Sequence, residues 1–277
     1  MELVPALYHL TLNLIVAVIG IAFSTQILDF TSKLELESNN DDTNSDSKFL
    51  ESDDFSMPTV SLANAKRQAL RIAEVSQNMV VSSLAVMRDD NDLLRNEIIK
   101  NEDTVDNLFD SIKLYIAQIL QEELTPAESQ QALNILNFTT NMEHIGDIVN
   151  NSLMDISKKK ISKHIQFSKE GFSEIISIHE VVCSDYDLAI STFMSNDCEL
   201  AKVLYGKKQE LHKLETKSVS KHLQRIGKGV TDSLETSSMH IDVIRDYKRI
   251  NSLLSSIAYP ILFASGEILE TRLKQNS

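Results

Sequence analysis

Asn141-Met142-Glu143-His144-Ile145-Gly146-Asp147-Ile148-Val149-Asn150-Asn151 is the stretch from which the fold can be read. Carried outward on both sides, its apolar residues Phe138, Met142, Ile145, Val149, Leu153 and Ile156 step by three and four, the period of one buried stripe on an α-helix. Glu143, Asp147 and Asn151 form a second stripe beside the first. Upstream, Thr125-Pro126-Ala127-Glu128 starts the same helix. Thr125 is the N-cap, Pro126 takes a first-turn position that needs no N–H, and Glu128 closes a capping box.

Further caps divide the rest of the chain. Ser168, Asn196 or Asp197, and Ser233 each precede an apolar-periodic run, and Lys228-Gly229 follows one. Six helices are expected beyond Ser61, near Leu62 to Arg88, Asn91 to Leu124, Pro126 to Lys160, Lys169 to Ser195, Asp197 to Lys228, and Leu234 to Lys274 with a kink before Pro260. A weak internal repeat arranges them as three plus three: Met87, Asp90 and Leu93 recur as Met194, Asp197 and Leu200, Leu108 recurs as Leu214, and Glu143, Ile145 and Asp147 recur as Asp242, Ile244 and Asp246. The expected class is all-α, two antiparallel three-helix bundles, with repeat 1 over 62–165 and repeat 2 over 166–277.

Composition agrees. The 277 residues are 42% hydrophobic and 24% charged, enough for one or two domains with a sizeable core, and the few Gly and Pro leave no turn punctuation for a sandwich or barrel. A net charge of −13 repels phosphate backbones, so nucleic acid is not an expected partner. Cys183 and Cys198 form no C-x-x-C pair, which argues against a disulfide framework or a zinc site and suits a reducing compartment.

Two segments precede the helical region. From Leu3 to Leu28 there is no Asp, Glu, Lys or Arg, and at about 1.5 Å per residue this run exceeds the roughly 30 Å hydrocarbon layer. It reads as a transmembrane helix within residues 1–34. The rival, a cleaved signal peptide, needs a positive leader, whereas Glu2 is the only charged side chain there. Ser38 to Pro58 is a run of Asp, Ser and Asn that reads as a flexible acidic linker over 35–61. The first 62 residues carry −8 of the −13.

Chemistry, if any, belongs to the third helix of each bundle. Carboxylates at i and i+4, such as Glu143 with Asp147 and Asp242 with Asp246, stand about 6 Å apart and can grip a hard cation, while their bare repulsion costs only about 0.2–0.5 kcal/mol. Such spacing is also common on solvated acidic helices. His144 and His240 read as flank or capping residues, Cys183 and Cys198 as core and first-turn residues, and the Lys158 to Lys160 cluster as a favourable helix C-terminus or a contact for anionic lipid. Gly227-x-Gly229 is too short for a phosphate loop, and no Ser/His/Asp set exists, so an enzyme is not expected.

The stretch from Asn137 to Ile161 resembles the signature helix of PhoU-type domains, in which Glu, Arg, Ile, Gly and Asp are followed by an Asn four residues on; Glu143, Asp147 and Asn151 match, and His144 stands in place of Arg. Ser233 to Leu262 is similar to the C-terminal end of bacterial sodium/phosphate cotransporter family proteins, and Leu62 to Arg88 to the first helix of the same domain. Ala6 to Ile15, with His9 and Asn13, resembles the last transporter helix, while the paired inverted repeats that carry sodium and phosphate in that family have no counterpart in this sequence.

The resemblance implies a cytoplasmic PhoU-like domain, tethered by a single pass to the bacterial inner (plasma) membrane, that senses or restrains phosphate transport. It also implies a multinuclear metal of iron, zinc, manganese or magnesium. Asp103 and Asp106 join Glu143 and Asp147 as candidate ligands in the first bundle. Asp242 and Asp246 carry less weight, because Gln209 and His212 replace the second-helix acids and the Asn moves to Asn251. Expected partners are the membrane, a phosphate transporter membrane domain or its helices, and a second copy in a homo-dimer. The alternative is one part of a split or truncated sodium-dependent phosphate transporter, contributing its last helix to transport.

Overall fold

The computed structural model describes Phe55 and residues 57–268, and all of its regular structure is helical. The expected membrane segment and nearly all of the acidic linker lie outside the described residues. Among the described residues no helix is long and apolar enough to cross a membrane.

Helices α1 (Pro58–Asp89), α2 (Asp92–Ile119) and α3 (Pro126–Ile148) form the first bundle. A π-helical turn, Val149–Met154, leads from α3 into α4 (Asp155–Lys163). The second bundle consists of α5 (Lys169–Ser195), α6 (Cys198–Gly227) and α8 (Ser237–Ser256), with the short helix α7 (Thr231–Glu235) before α8 and α9 (Ala258–Ala264) after it.

The caps explain most of these boundaries. Thr125 and Glu128 make the reciprocal capping box, Ser168 Oγ accepts from the Gly171 N–H, and Asp197 accepts from Leu200 N–H. Asn196, the other N-cap candidate at that junction, instead ends α5: at φ 50° it lies in the left-handed region, as Asp90 at φ 52° does at the end of α1. The structural repeat therefore pairs Asp90 with Asn196 and Asn91 with Asp197, one position away from the pairing of Asp90 with Asp197 that the sequence match suggests.

Several features differ from expectation. Ser233 is not a cap; it is buried inside α7, and its hydroxyl donates to Ser168 Oγ at 3.0 Å. The last helix breaks at Ile257, just ahead of Pro260, and ends at Ala264 instead of Lys274. Gly266 stops it, at φ 74°, with its N–H bonded to Phe263 O and that of Glu267 to Leu262 O, a Schellman arrangement. Lys160 is no surface cation: its side chain is 1% exposed, and Nζ lies 2.6 Å from Asp90.

All six apolar residues of the deciding stripe are buried, with Met142, Ile145, Val149 and Leu153 at 0% exposure. The two bundles meet along α1 against α5 and α3 against α8. Phe138 stacks on Phe193, with centroids 3.7 Å apart. Tyr186 shares a hydroxyl hydrogen bond with Ser76, Tyr247 shares one of 2.9 Å with Ser83, and His179 Nε2 reaches the Val80 carbonyl at 3.1 Å.

Candidate functional site

The four first-bundle acids singled out from sequence sit on facing helices, Asp103 and Asp106 on α2, Glu143 and Asp147 on α3. The stripe that buries Met142 and Ile145 turns Glu143 and Asp147 to one flank, where the acids of α2 come within electrostatic reach. Glu102 and Asp110 complete this face; neither is in the expected set, although Glu102-Asp103 and Asp106-x-x-x-Asp110 stand side by side in the sequence.

Mutual repulsion registers in their protonation. Partial burial, reinforced by Asp147, Asp110 and Asp103, raises the Asp106 carboxyl above its ordinary value. Partial burial also raises Glu143, opposed by His144 and reinforced by Asp147, Asp106 and Asp110. Glu102 is raised by burial and by Asp106, against a hydrogen bond from Asn150, with Asp147 and Asp103 adding to the shift. Asn151 Nδ2 donates to Asp147 Oδ1 at 2.9 Å, and His144 Nε2 lies 3.5 Å from Glu143 Oε2. Lys113 pairs with Asp110 at 3.2 Å. Among the described residues no cation pairs with Glu102, Asp103, Asp106 or Asp147, and no three His, Cys, Asp or Glu side chains converge closely enough to hold a metal ion.

The second pair is placed differently. Asp242 meets Arg245 at 2.8 Å, and Asp246, with no exposed surface, accepts from Arg249 at 3.1 Å and from the Ser152 hydroxyl of the π-helical turn. Each carboxylate is thus balanced by an arginine three residues on, and Asp246 ties α8 to the first bundle. This arrangement does not suit a cation site. A groove of about 840 Å³ runs between α3 and α8, lined among others by Asp147, Asn151, Arg245, Lys248 and Arg249. Lys248 is paired with Glu215 at 2.6 Å, so all three of its cations are neutralised.

His240 is 1% exposed and packed between the Gly171 carbonyl at 3.2 Å and Glu174 at 3.3 Å; His222 stacks on it at 4.5 Å. Burial, together with His222, lowers its pKa to about 4. Arg225 holds Glu174 through two hydrogen bonds of 2.8 Å. The histidine read as a flank residue is thus a core group. Cys183 is half-buried against His179, and its thiol is raised to about 11, which leaves it a poor nucleophile.

Comparison with known proteins adds the lineage. The chain matches the family described as "PhoU domain" over residues 69–156 and 175–261, one match in each bundle. It is 30% identical over 92% of its length to "Putative inorganic phosphate export protein YjbB" of Salmonella typhimurium, and 30% identical over 92% to the protein of the same name from Escherichia coli K12. The chain spans about half of those relatives, 47% of each. PhoU from Pseudomonas aeruginosa has the same fold, at a TM-score of 0.67 and 15% identity over 76% of this chain and 99% of that one. So does the phosphate transport system regulatory protein PhoU from Streptococcus pneumoniae, at 0.68 and 11% over 78% and 100%. With two tandem matches that together span more than half of its length, the chain belongs to the PhoU domain family.

Proposed function

We propose that this chain is the regulatory, metal-binding part of a phosphate-moving membrane system, held at the cytoplasmic face of a bacterial inner membrane by its uncharged segment Leu3 to Leu28, and that it acts by binding without catalysing a reaction. The observation that carries this reading is the 30% identity across 92% of the chain to relatives named for inorganic phosphate export. Its partner is a sodium/phosphate cotransporter-type membrane domain, in keeping with the likeness of Ala6 to Ile15 to a last transporter helix.

The acidic face of α2 and α3 supports the metal. Partial burial and neighbouring carboxylates raise Glu102, Asp106 and Glu143, and Glu102, Asp103, Asp106 and Asp147 have no cationic partner among the described residues, a charge imbalance that a hard cation would neutralise. Glu143 and Asp147 with Asp103, Asp106 and Glu102 would have to draw together around it, since no three of them converge closely enough in this arrangement. Asp242 and Asp246 are left out, because Arg245 and Arg249 already satisfy them.

The test is phosphate flux. In bacteria lacking their own phosphate exporter, the chain co-expressed with the membrane half of a relative should co-purify with it and change phosphate efflux. Unchanged efflux without co-purification would refute the partnership. A reporter fused after Lys33 should be active only in its cytoplasmic form; an active periplasmic phosphatase there would reverse the topology.

A further inference from the structure

A second groove, of about 670 Å³, lies between α5 and α6 and shares no lining residue with the groove against α3. It is lined by Lys169 at the start of α5 and by Lys217, Lys221 and Lys228 along α6, with the hydroxyls of Ser173 and Ser177 on the opposite wall. All four lysines are exposed. Among the described residues none of the four takes part in an ion pair, whereas in the α3–α8 groove Arg245, Lys248 and Arg249 each have a carboxylate partner. Two acids share the α5–α6 groove. Glu174 is 10% exposed at its side chain and committed to Arg225 by two 2.8 Å hydrogen bonds, which leaves Glu170 as the only carboxylate lining free to answer four lysines.

This concentration of positive charge runs against the chain's own balance of −13. Lys217 and Lys221 are one turn apart on the same face, where like charges repel by a few tenths of a kcal/mol, and Lys228 extends the row to roughly 17 Å in all at 1.5 Å per residue. A row of lysines across from the Ser173 hydroxyl is chemistry for phosphate oxygens: compact point charges beside a neutral donor, with the Ser177 hydroxyl donating to the Ser173 carbonyl at 2.9 Å and no aromatic side chain to stack a base. We infer that the α5–α6 groove binds phosphate-bearing anions through Lys169, Lys217, Lys221 and Lys228. The inference is independent of the metal face, which lies in the other bundle. One ligand chemistry has two sources here, the headgroup of an anionic phospholipid and a soluble inorganic phosphate or polyphosphate.

Lysine acetylation footprinting of the full chain in neutral detergent separates them. The probes are short-chain phosphatidylglycerol, short-chain phosphatidylcholine, inorganic phosphate and polyphosphate, and peptide mass spectrometry reads each lysine. Lys217, Lys221 and Lys228 should be protected by an anionic probe while Lys100, Lys113 and Lys208, exposed elsewhere, should not. Protection by phosphatidylglycerol alone assigns the headgroup, and protection by phosphate or polyphosphate without lipid assigns the soluble ligand. The triple substitution Lys217→Gln, Lys221→Gln and Lys228→Gln should raise the half-saturating concentration on the order of a hundredfold, roughly fivefold per lysine near a charged surface. A control with the same charge change, Lys100→Gln, Lys113→Gln and Lys208→Gln, should leave it unaltered. Protection by none of the probes, or equal protection of both sets of lysines, overturns the inference.

Discussion

Gly146→Ala and Gly171→Ala should shift stability in opposite directions, although each replaces a buried helical glycine. Glycine in a helix interior costs up to about 1 kcal/mol relative to alanine, so propensity alone favours both changes. Space decides between them. A Cβ at Gly146 would meet Val105 Cγ1 at 3.4 Å and the Met79 thioether at 3.8–3.9 Å, ordinary contact distances that add packing without displacing a neighbour. The gain should be about 0.5–1 kcal/mol. A Cβ at Gly171 would stand 2.9 Å from Ser168 Oγ and 3.3 Å from His240 Cδ2. That hydroxyl accepts from the Gly171 N–H and from Ser233, so moving it sacrifices the α5 N-cap at about 1 kcal/mol. Pressure on the buried His240 ring adds an overpacking cost of about 1–3 kcal/mol. After the propensity gain, a net loss of about 1–3 kcal/mol remains. For a chain of this size, thermal unfolding followed by far-ultraviolet circular dichroism should show a rise of roughly 1–4 °C for the first variant and a fall of roughly 2–10 °C for the second. Shifts of the same sign would refute the reasoning. A Gly171→Ala protein as stable as the parent would mean that Ser168 is not held where its hydrogen bonds place it.

Glu143→Gln combined with Asp147→Asn should leave helicity intact and lower the bound iron, zinc, manganese or magnesium measured by elemental analysis; a parent chain that purifies without metal and whose melting point ignores all four ions sinks the metal reading. Glu174→Gln should cost about 2–4 kcal/mol in urea unfolding, because the Arg225 side chain, 12% exposed, keeps its charge without a carboxylate; a loss below about 0.5 kcal/mol would place that pair with ordinary surface bridges. Acidification should also weaken the fold through His240. With a folded pKa of about 4 against 6.5 unfolded, the unfolded chain takes the proton first, so stability present above pH 6.5 is lost as pH falls towards 4, by about 3 kcal/mol at most. The raised carboxyls of Glu102, Asp106 and Glu143 act in the opposite sense, gaining stability on protonation, so the comparison to make is with His240→Gln. The stability difference between parent and variant should shrink between pH 6.5 and 4, and a constant difference would contradict the assignment.

Much of the fold was legible because its signals are local. Thr125-Pro126-Ala127-Glu128, Ser168 and Asp197 cap helices through atoms within three residues of themselves, and the stripe from Phe138 to Ile156 is a matter of period. The π-helical turn at Val149–Met154 leaves no such mark, since one wider turn alters hydrogen bonding without requiring a special residue type. Ser233 misled because a serine ahead of an apolar residue looks the same whether it caps a helix or lies buried in one, and its Ser168 partner is 65 positions away. Gly266 did carry a readable stop signal that the longer expected helix overran. For the site, i,i+4 spacing located Glu143 and Asp147 but could not say which helix would face them, so Glu102 and Asp110 went unnoticed. The fate of Asp242 and Asp246 was partly visible, since Arg245 and Arg249 follow each at the i+3 spacing that permits pairing.

The contacts of Tyr186 with Ser76, Tyr247 with Ser83, and His179 with the Val80 carbonyl also determine how the molecule can deform. All three run crosswise between α1 and the second bundle, and all are buried. Sliding one bundle along the other by a helical turn, about 5.4 Å, would strand two phenols and an imidazole in the core at about 1–3 kcal/mol apiece. Tilting the joined bundles as one lever leaves every one of these bonds intact. A push delivered at one end of the joined bundles therefore reaches the other end as rotation of the whole body, with shear along the seam as the stiff direction.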